Sequence, residues 1–162
     1  MKYTKLTLLL LLGTISSSLI AQTKNNRISS EEITLNGHKF FEMSVEDAIQ
    51  AFGQPLSIED YYYETEDRYA KKVEYKGARL FFVDNRGDGF TITDPDIAVT
   101  KHNIRVGQSV YPLFDIYPDS YKYRKSNTGL SLTLLNYEKF LSFGYGIGTG
   151  NSPVYEIHLG GY

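Results

Sequence analysis

Few residues in this chain have the type and spacing that chemistry needs. The stretch Asp84-Asn85-Arg86-Gly87-Asp88-Gly89-Phe90, with Asp94 and Asp96 close behind, offers four carboxylates to a hard cation. It does not fit the helix–loop–helix calcium pattern. Arg86 stands where the third loop position needs Asp or Asn, and Pro95 stands where the bidentate Glu belongs. What remains is a calcium-dependent structural role as a lesser alternative to an ordinary glycine-rich hairpin. The run Gly144-Tyr145-Gly146-Ile147-Gly148-Thr149-Gly150 looks like a phosphate loop, but Asn151-Ser152-Pro153 and a strand pattern follow it. A phosphate loop must open a helix whose first N–H groups hold the anion. His38, His102 and His158 have no partner at metal-ligand spacing. No Gly-x-Ser-x-Gly elbow is present, and no pair of carboxylates is singled out by position. No metal, cofactor or catalytic residue is assigned, and the chain is read as a non-enzyme.

A different constellation stands out. Glu59-Asp60-Tyr61-Tyr62-Tyr63-Glu64 and Tyr121-Lys122-Tyr123-Arg124-Lys125 are tyrosine-rich, one acidic and one basic. Strand alternation puts Tyr61 and Tyr63 on one face and Tyr62 on the other; Tyr121 and Tyr123 then share a face opposite Lys122 and Arg124. Three adjacent tyrosines cannot all enter one core, so at least one faces outward. Tyrosine gives rigid apolar area with a polar tip, which is what contact patches use. The expected binding residues are Tyr61, Tyr62, Tyr63, Tyr121, Tyr123, Lys122 and Arg124. The expected ligand is an envelope or extracellular protein. The alternative is a carbohydrate or cell-wall polymer stacked on the same rings.

These residues are placed by elements that the pattern makes legible. Ser44 is a candidate N-cap, with Asp47 three residues on. Val45, Ala48, Ile49 and Phe52 form one helical stripe, and Gly53 and Pro55 close it. A shorter helix is expected from about Ser109, with Pro112 in its first turn and Val110, Leu113, Phe114 and Tyr117 on one face. Asn36-Gly37 between Ile33–Leu35 and His38–Phe41 is a two-residue hairpin signal. Strand patterns run over 56–64, 69–76, 78–84 and 90–93, then over 121–126, 130–135, 139–145 and 154–159. Asn85–Gly89 and Gly146–Ser152 are expected as loops between them. The fold class is therefore α+β: two tandem repeats, each a short helix packed on an antiparallel β-sheet. The first spans 22–99 and the second 100–162. A helix with one apolar stripe covers one sheet face and leaves the other to solvent or a partner.

Two openings carry a family resemblance. Ile104-Arg105-Val106-Gly107-Gln108-Ser109-Val110, ending in Tyr117-Pro118, and Met43-Ser44-Val45-Glu46-Asp47-Ala48-Ile49, ending in Gly53-Gln54-Pro55, resemble the helix–sheet repeats of the SmpA/OmlA and β-lactamase-inhibitor-protein-like superfamily. Met43 departs from that pattern where Gly107 keeps it. The resemblance implies an exported binding or assembly module that presents a sheet face to a protein.

Composition agrees with export. Residues 1–21 read as a signal peptide: Lys2 and Lys5, an apolar run from Leu6 to Ile15, and a small-residue tail ending at Ala21. No later segment is apolar enough to span a membrane, so no membrane span is expected after cleavage. The 162 residues include no cysteine, which excludes a disulfide scaffold, a thiolate site and a lipid anchor. A periplasmic or secreted protein is expected. Residues 22–99 hold 9 basic and 15 acidic residues, and residues 100–162 hold 6 and 4. That balance speaks against nucleic acid as a partner.

Overall fold

The computed structural model describes residues 26–64, 66–122, 127–146 and 152–161. The expected signal peptide lies outside the described residues, as do Tyr123, Arg124 and residues 147–151 of the second glycine run.

The first helix, α1 (Val45–Phe52), forms as its sequence dictates. Ser44 Oγ accepts the Asp47 N–H at 3.0 Å, and the Asp47 carboxylate accepts the Ser44 N–H at 2.9 Å. This reciprocal pair satisfies two of the donors that a helix start leaves open. Ala48 is fully buried and Val45 nearly so, while Ile49 and Phe52 pack against the core from its margin. Gly53 ends the helix at φ +84, a conformation that glycine takes without a Cβ penalty.

Among the described residues ten strands form, all but β1 on segments whose patterning predicts strand: β1 (Arg27–Ile28), β2 (Thr34–Leu35), β3 (His38–Lys39), β4 (Ser57–Tyr63), β5 (Arg68–Tyr75), β6 (Ala78–Val83), β7 (Arg86–Ile92, longer than expected), β8 (Gly129–Leu134), β9 (Lys139–Tyr145) and β10 (Val154–Gly161). β2 and β3 make the small hairpin, with Asn36 and Gly37 both at positive φ. The other eight form one sheet in the order β1-β8-β9-β10-β7-β6-β5-β4, antiparallel except for β1 on β8. Each half of the chain thus runs from helix into antiparallel meander, and β7 joins β10 to make the sheet continuous. The expected boundary near Val99–Asn103 falls on a turn bridged from Val99 to Ile104 and tied to β2 through Leu35.

Two expectations are corrected. Residues 121–126 were expected as a strand; Tyr121 and Lys122 instead end a helix, α3 (Pro118–Lys122), directly after α2 (Tyr111–Ile116). Pro118 starts this helix, because the first position needs no N–H and favours the φ that proline has. The expected loop Asn85–Gly89 is mostly strand. Only Asp84 and Asn85, both at positive φ, make the turn, and β7 begins at Arg86 with a bulge opposite Phe81–Phe82.

Register sorts the two sheet faces into rows. Ile58, Val73, Leu80, Phe90, Leu159, Leu141 and Leu132 stand side by side across seven strands. This row lies on the helix side, and every member except Ile58 is fully buried. One residue along lies the opposite row: Ser57, Glu74, Arg79, Thr91, His158, Ser142 and Ser131. The strand period of two, held in register, gives one sealed face and one polar face.

Candidate interaction surface

β4 and β5 form an arm at the end of the sheet. Among the described residues no strand pairs with the outer edge of β4, and none of its seven residues is buried. Tyr61 and Tyr63 do share a face, as alternation requires, with ring centroids 5.1 Å apart. Phe81 of β6 joins them at 5.2 and 5.8 Å, making an aromatic trio on the polar face. Tyr62 lies on the helix side against Tyr69 at 4.9 Å, and its hydroxyl donates to Asp67 in the arm's own turn. Of the ten large apolar side chains exposed among the described residues, Leu56, Ile58, Tyr61, Tyr62 and Tyr69 belong to this arm.

The arm's tip is anchored over the polar face. Asp88, on the β7 bulge, accepts from Arg68 Nη2 at 3.1 Å and from Lys139 Nζ at 2.9 Å. The Lys139 contact is largely shielded, with the Asp88 and Lys139 side chains 12% and 11% exposed, whereas Arg68 is 32% exposed. Arg68 also pairs with Glu66 and lies 5.5 Å from the centre of the Tyr63 ring. The Tyr63 hydroxyl is pushed far above the usual phenol range, first by burial and then by the Asp88 charge. Two glycines lie beneath the arm's tip. A Cβ on Gly89 would stand 3.9 Å from the Tyr63 hydroxyl and 2.9 Å from the Leu159 carbonyl oxygen. One on Gly161 would stand 3.7 Å from the Glu66 carboxylate. The glycine-rich run is held by close backbone approach instead: a Cβ on Gly87 would meet the Phe40 carbonyl oxygen at 2.1 Å.

Farther along this face His158 accepts from or donates to Thr91 Oγ1 at 3.1 Å and lies over Gly160. Burial holds its imidazole below the ordinary histidine range. Asp88 is committed to Arg68 and Lys139, and Asp94 accepts the Asp96 N–H at 2.8 Å. Among the described residues no group of three or more His, Asp or Glu is placed to hold a metal ion.

On the helix side, a groove of about 390 Å³ opens between the start of α1 and β4. Ile58, Tyr69, Phe82 and Val45 give it apolar walls and floor; Glu46, Asp60, Lys71, Asp84 and Asn85 surround them. Patterning did not reveal this groove. Its one signal was Ile58, an apolar residue on the core-facing register of an otherwise exposed strand.

The second tyrosine cluster lies elsewhere. Tyr121 on α3 stacks on Phe114 at 3.8 Å, and Phe114 also meets Tyr111. α3 packs on β8, on the helix side, with five strands between β8 and β4 in the sheet order. Lys122 is exposed beside it. Tyr61 and Tyr63 are therefore brought together with each other, but not with Tyr121.

No protein-family model matches the chain, and no curated protein matches it. A solved structure of an extracellular protein containing a SCP domain, from Bacillus anthracis str. Ames, aligns with 75% of this chain at 7% identity and a TM-score of 0.40. The alignment covers 44% of that chain, so this sequence spans less than half the length of the structure it is compared with.

Proposed function

We propose that the chain is an exported, non-enzymatic interaction module that binds an envelope or extracellular protein through the β4–β5 arm. The observation that carries this reading is the concentration of exposed apolar side chains there. Half of the large ones exposed among the described residues fall within 56–69, on both faces of the arm, whose outer strand β4 has no strand paired to its outer edge among those residues. Single exposed apolar residues need no explanation, but a contiguous set does. An exposed edge with alternating apolar side chains offers main-chain hydrogen bonds and side-chain pockets together. The charged groups around it are matched pairwise: Arg68 and Lys139 to Asp88, Lys71 to Asp60, Lys72 to Glu59. That pattern supports recognition rather than proton transfer.

Export rests on the order of residues 1–21. Among the described residues no helix is long and apolar enough to cross a membrane. The two runs of helix and meander support a duplicated unit of the SmpA/OmlA and β-lactamase-inhibitor-protein-like kind.

The test is capture from an envelope extract by the wild type and by a Tyr61→Ser/Tyr62→Ser/Tyr69→Ser variant. The wild type is expected to retain a discrete protein that the variant loses. Equal recovery by both overturns the reading. Retention on insoluble polysaccharide that the three serines abolish moves the same surface to sugar stacking.

A further inference from the structure

The groove between α1 and β4 has a chemistry of its own. Its floor continues the buried apolar row: Val73 is sealed, and the next member, Ile58, is 44% exposed at the groove wall. Its volume, about 390 Å³, lies in the range of small-ligand pockets, about 300–1,000 Å³. The rim is acidic. Glu46, Asp60 and Asp84 face one cation, Lys71, and that cation is already paired with Asp60 at 2.6 Å. Glu46 accepts from Asn85 Nδ2 at 3.0 Å, which holds its carboxyl below the ordinary range. The helix start beside it has two of its first N–H groups already taken. The Val45 N–H donates to Asn85 Oδ1 at 3.1 Å, and the Asp47 N–H is taken by Ser44. An acidic segment would meet carboxylates and spent N–H groups; a basic one meets its complement.

We propose that this groove seats a cationic, apolar peptide segment of a partner protein, one aliphatic or aromatic side chain entering against Ile58, Tyr69 and Phe82 while a flanking lysine or arginine meets Glu46 or Asp84. The proposal rests on the reading of the arm as a protein-binding surface and names the chemistry of what binds there.

The probe is a synthetic peptide of alternating lysine and leucine, with glutamate–leucine and lysine–serine peptides of equal length as controls. Each is titrated into the protein purified after export, and binding is read from backbone amide NMR shifts. Only the lysine–leucine peptide is expected to bind, moving the signals of Val45, Ile58, Tyr69 and Phe82. Its affinity should fall several-fold between about 0.05 and about 0.5 M salt. Glu46→Lys/Asp84→Lys should weaken it about tenfold, and Ile58→Ser should weaken it without changing the salt dependence. Equal binding of the glutamate–leucine peptide, shifts confined to the other sheet face, or an unchanged affinity in the charge-reversed variant overturns the proposal. The charge-reversed variant also separates the two readings in envelope capture. A partner lost on Tyr61→Ser/Tyr62→Ser/Tyr69→Ser but kept on Glu46→Lys/Asp84→Lys leaves the arm standing and removes the groove. A partner kept by both removes both.

Discussion

The apolar row across the sheet behaves differently at its two ends. At the β8 end, Leu132 is fully buried, because the helix side of β8 is covered. At the β4 end, Ile58 occupies the equivalent register and is 44% exposed. The tyrosines divide in the same way. Tyr145 on β9 and Tyr117 after α2 are buried, whereas Tyr62 and Tyr69 on the helix side of the arm are not. Residue type is alike at both ends; the covering layer differs. A strand position is core only where something lies over it, and at the arm only the first residues of α1, Val45 and Glu46, border the groove that leaves Ile58 open.

Four measurements press on this difference. The largest effect belongs to the row itself. Leu141→Ala, at a fully buried position, should cost about 4 kcal/mol by chemical denaturation, and Ile58→Ala in the same row about 1 kcal/mol or less. Similar values for both would mean that the arm is covered after all. The joint between the two halves comes next. Asp88→Asn leaves Lys139 without its counter-charge in a shielded site, while Arg68 keeps Glu66, and should cost about 2 kcal/mol. Asp60→Asn, which removes the pair with Lys71 on the exposed arm, should change stability by about 0.5 kcal/mol or less.

A smaller effect tests the cover. Ser44→Ala removes the cap of α1 and should cost about 1 kcal/mol. Hydrogen exchange should rise in α1 while β8–β10 stay protected, and a uniform rise would show that the halves unfold as one. The smallest effect is on the polar face. Burial lowers the folded pKa of His158, so the unfolded chain binds its proton first as pH falls. That contribution to stability is full above the ordinary histidine pKa. It declines as pH drops through about 6.5 and levels off below the folded pKa. His158→Asn should flatten this part of the pH–stability curve, and an unchanged slope between about pH 7.5 and pH 5 would contradict it.

What was legible in the sequence was local. Ser44, Asp47 and Gly53 mark α1 because caps and glycine conformations act within a turn or two of chain. Asn36-Gly37 marks its hairpin for the same reason. Most strands of the large sheet were legible as period-two runs. α3 was not, since tyrosine favours strands. The glycines at 87 and 89 were read as a loop because their reason is distant. A Cβ on Gly87 would stand 2.1 Å from the Phe40 carbonyl oxygen, and Gly89 lies under Tyr63. Of the expected site residues, the face shared by Tyr61 and Tyr63 followed from alternation. The groove did not, because it depends on how the start of α1 sits against β4, β5 and the Asp84–Asn85 turn in three dimensions.

The outer edge of β4 also bears on how the protein keeps to itself. An unpaired strand is a template for fibre growth, and its first available partner is another copy of the same strand. Laid antiparallel about its midpoint, Asp60, β4 would set that carboxylate against its own duplicate, with Glu59 one position away on each side. Like charges directly opposite oppose such a ladder. A foreign strand carrying a cation at that position meets no such conflict. The two carboxylates in the middle of β4, each beside a lysine of β5, thus set a charge cost on this one self-register of the free edge.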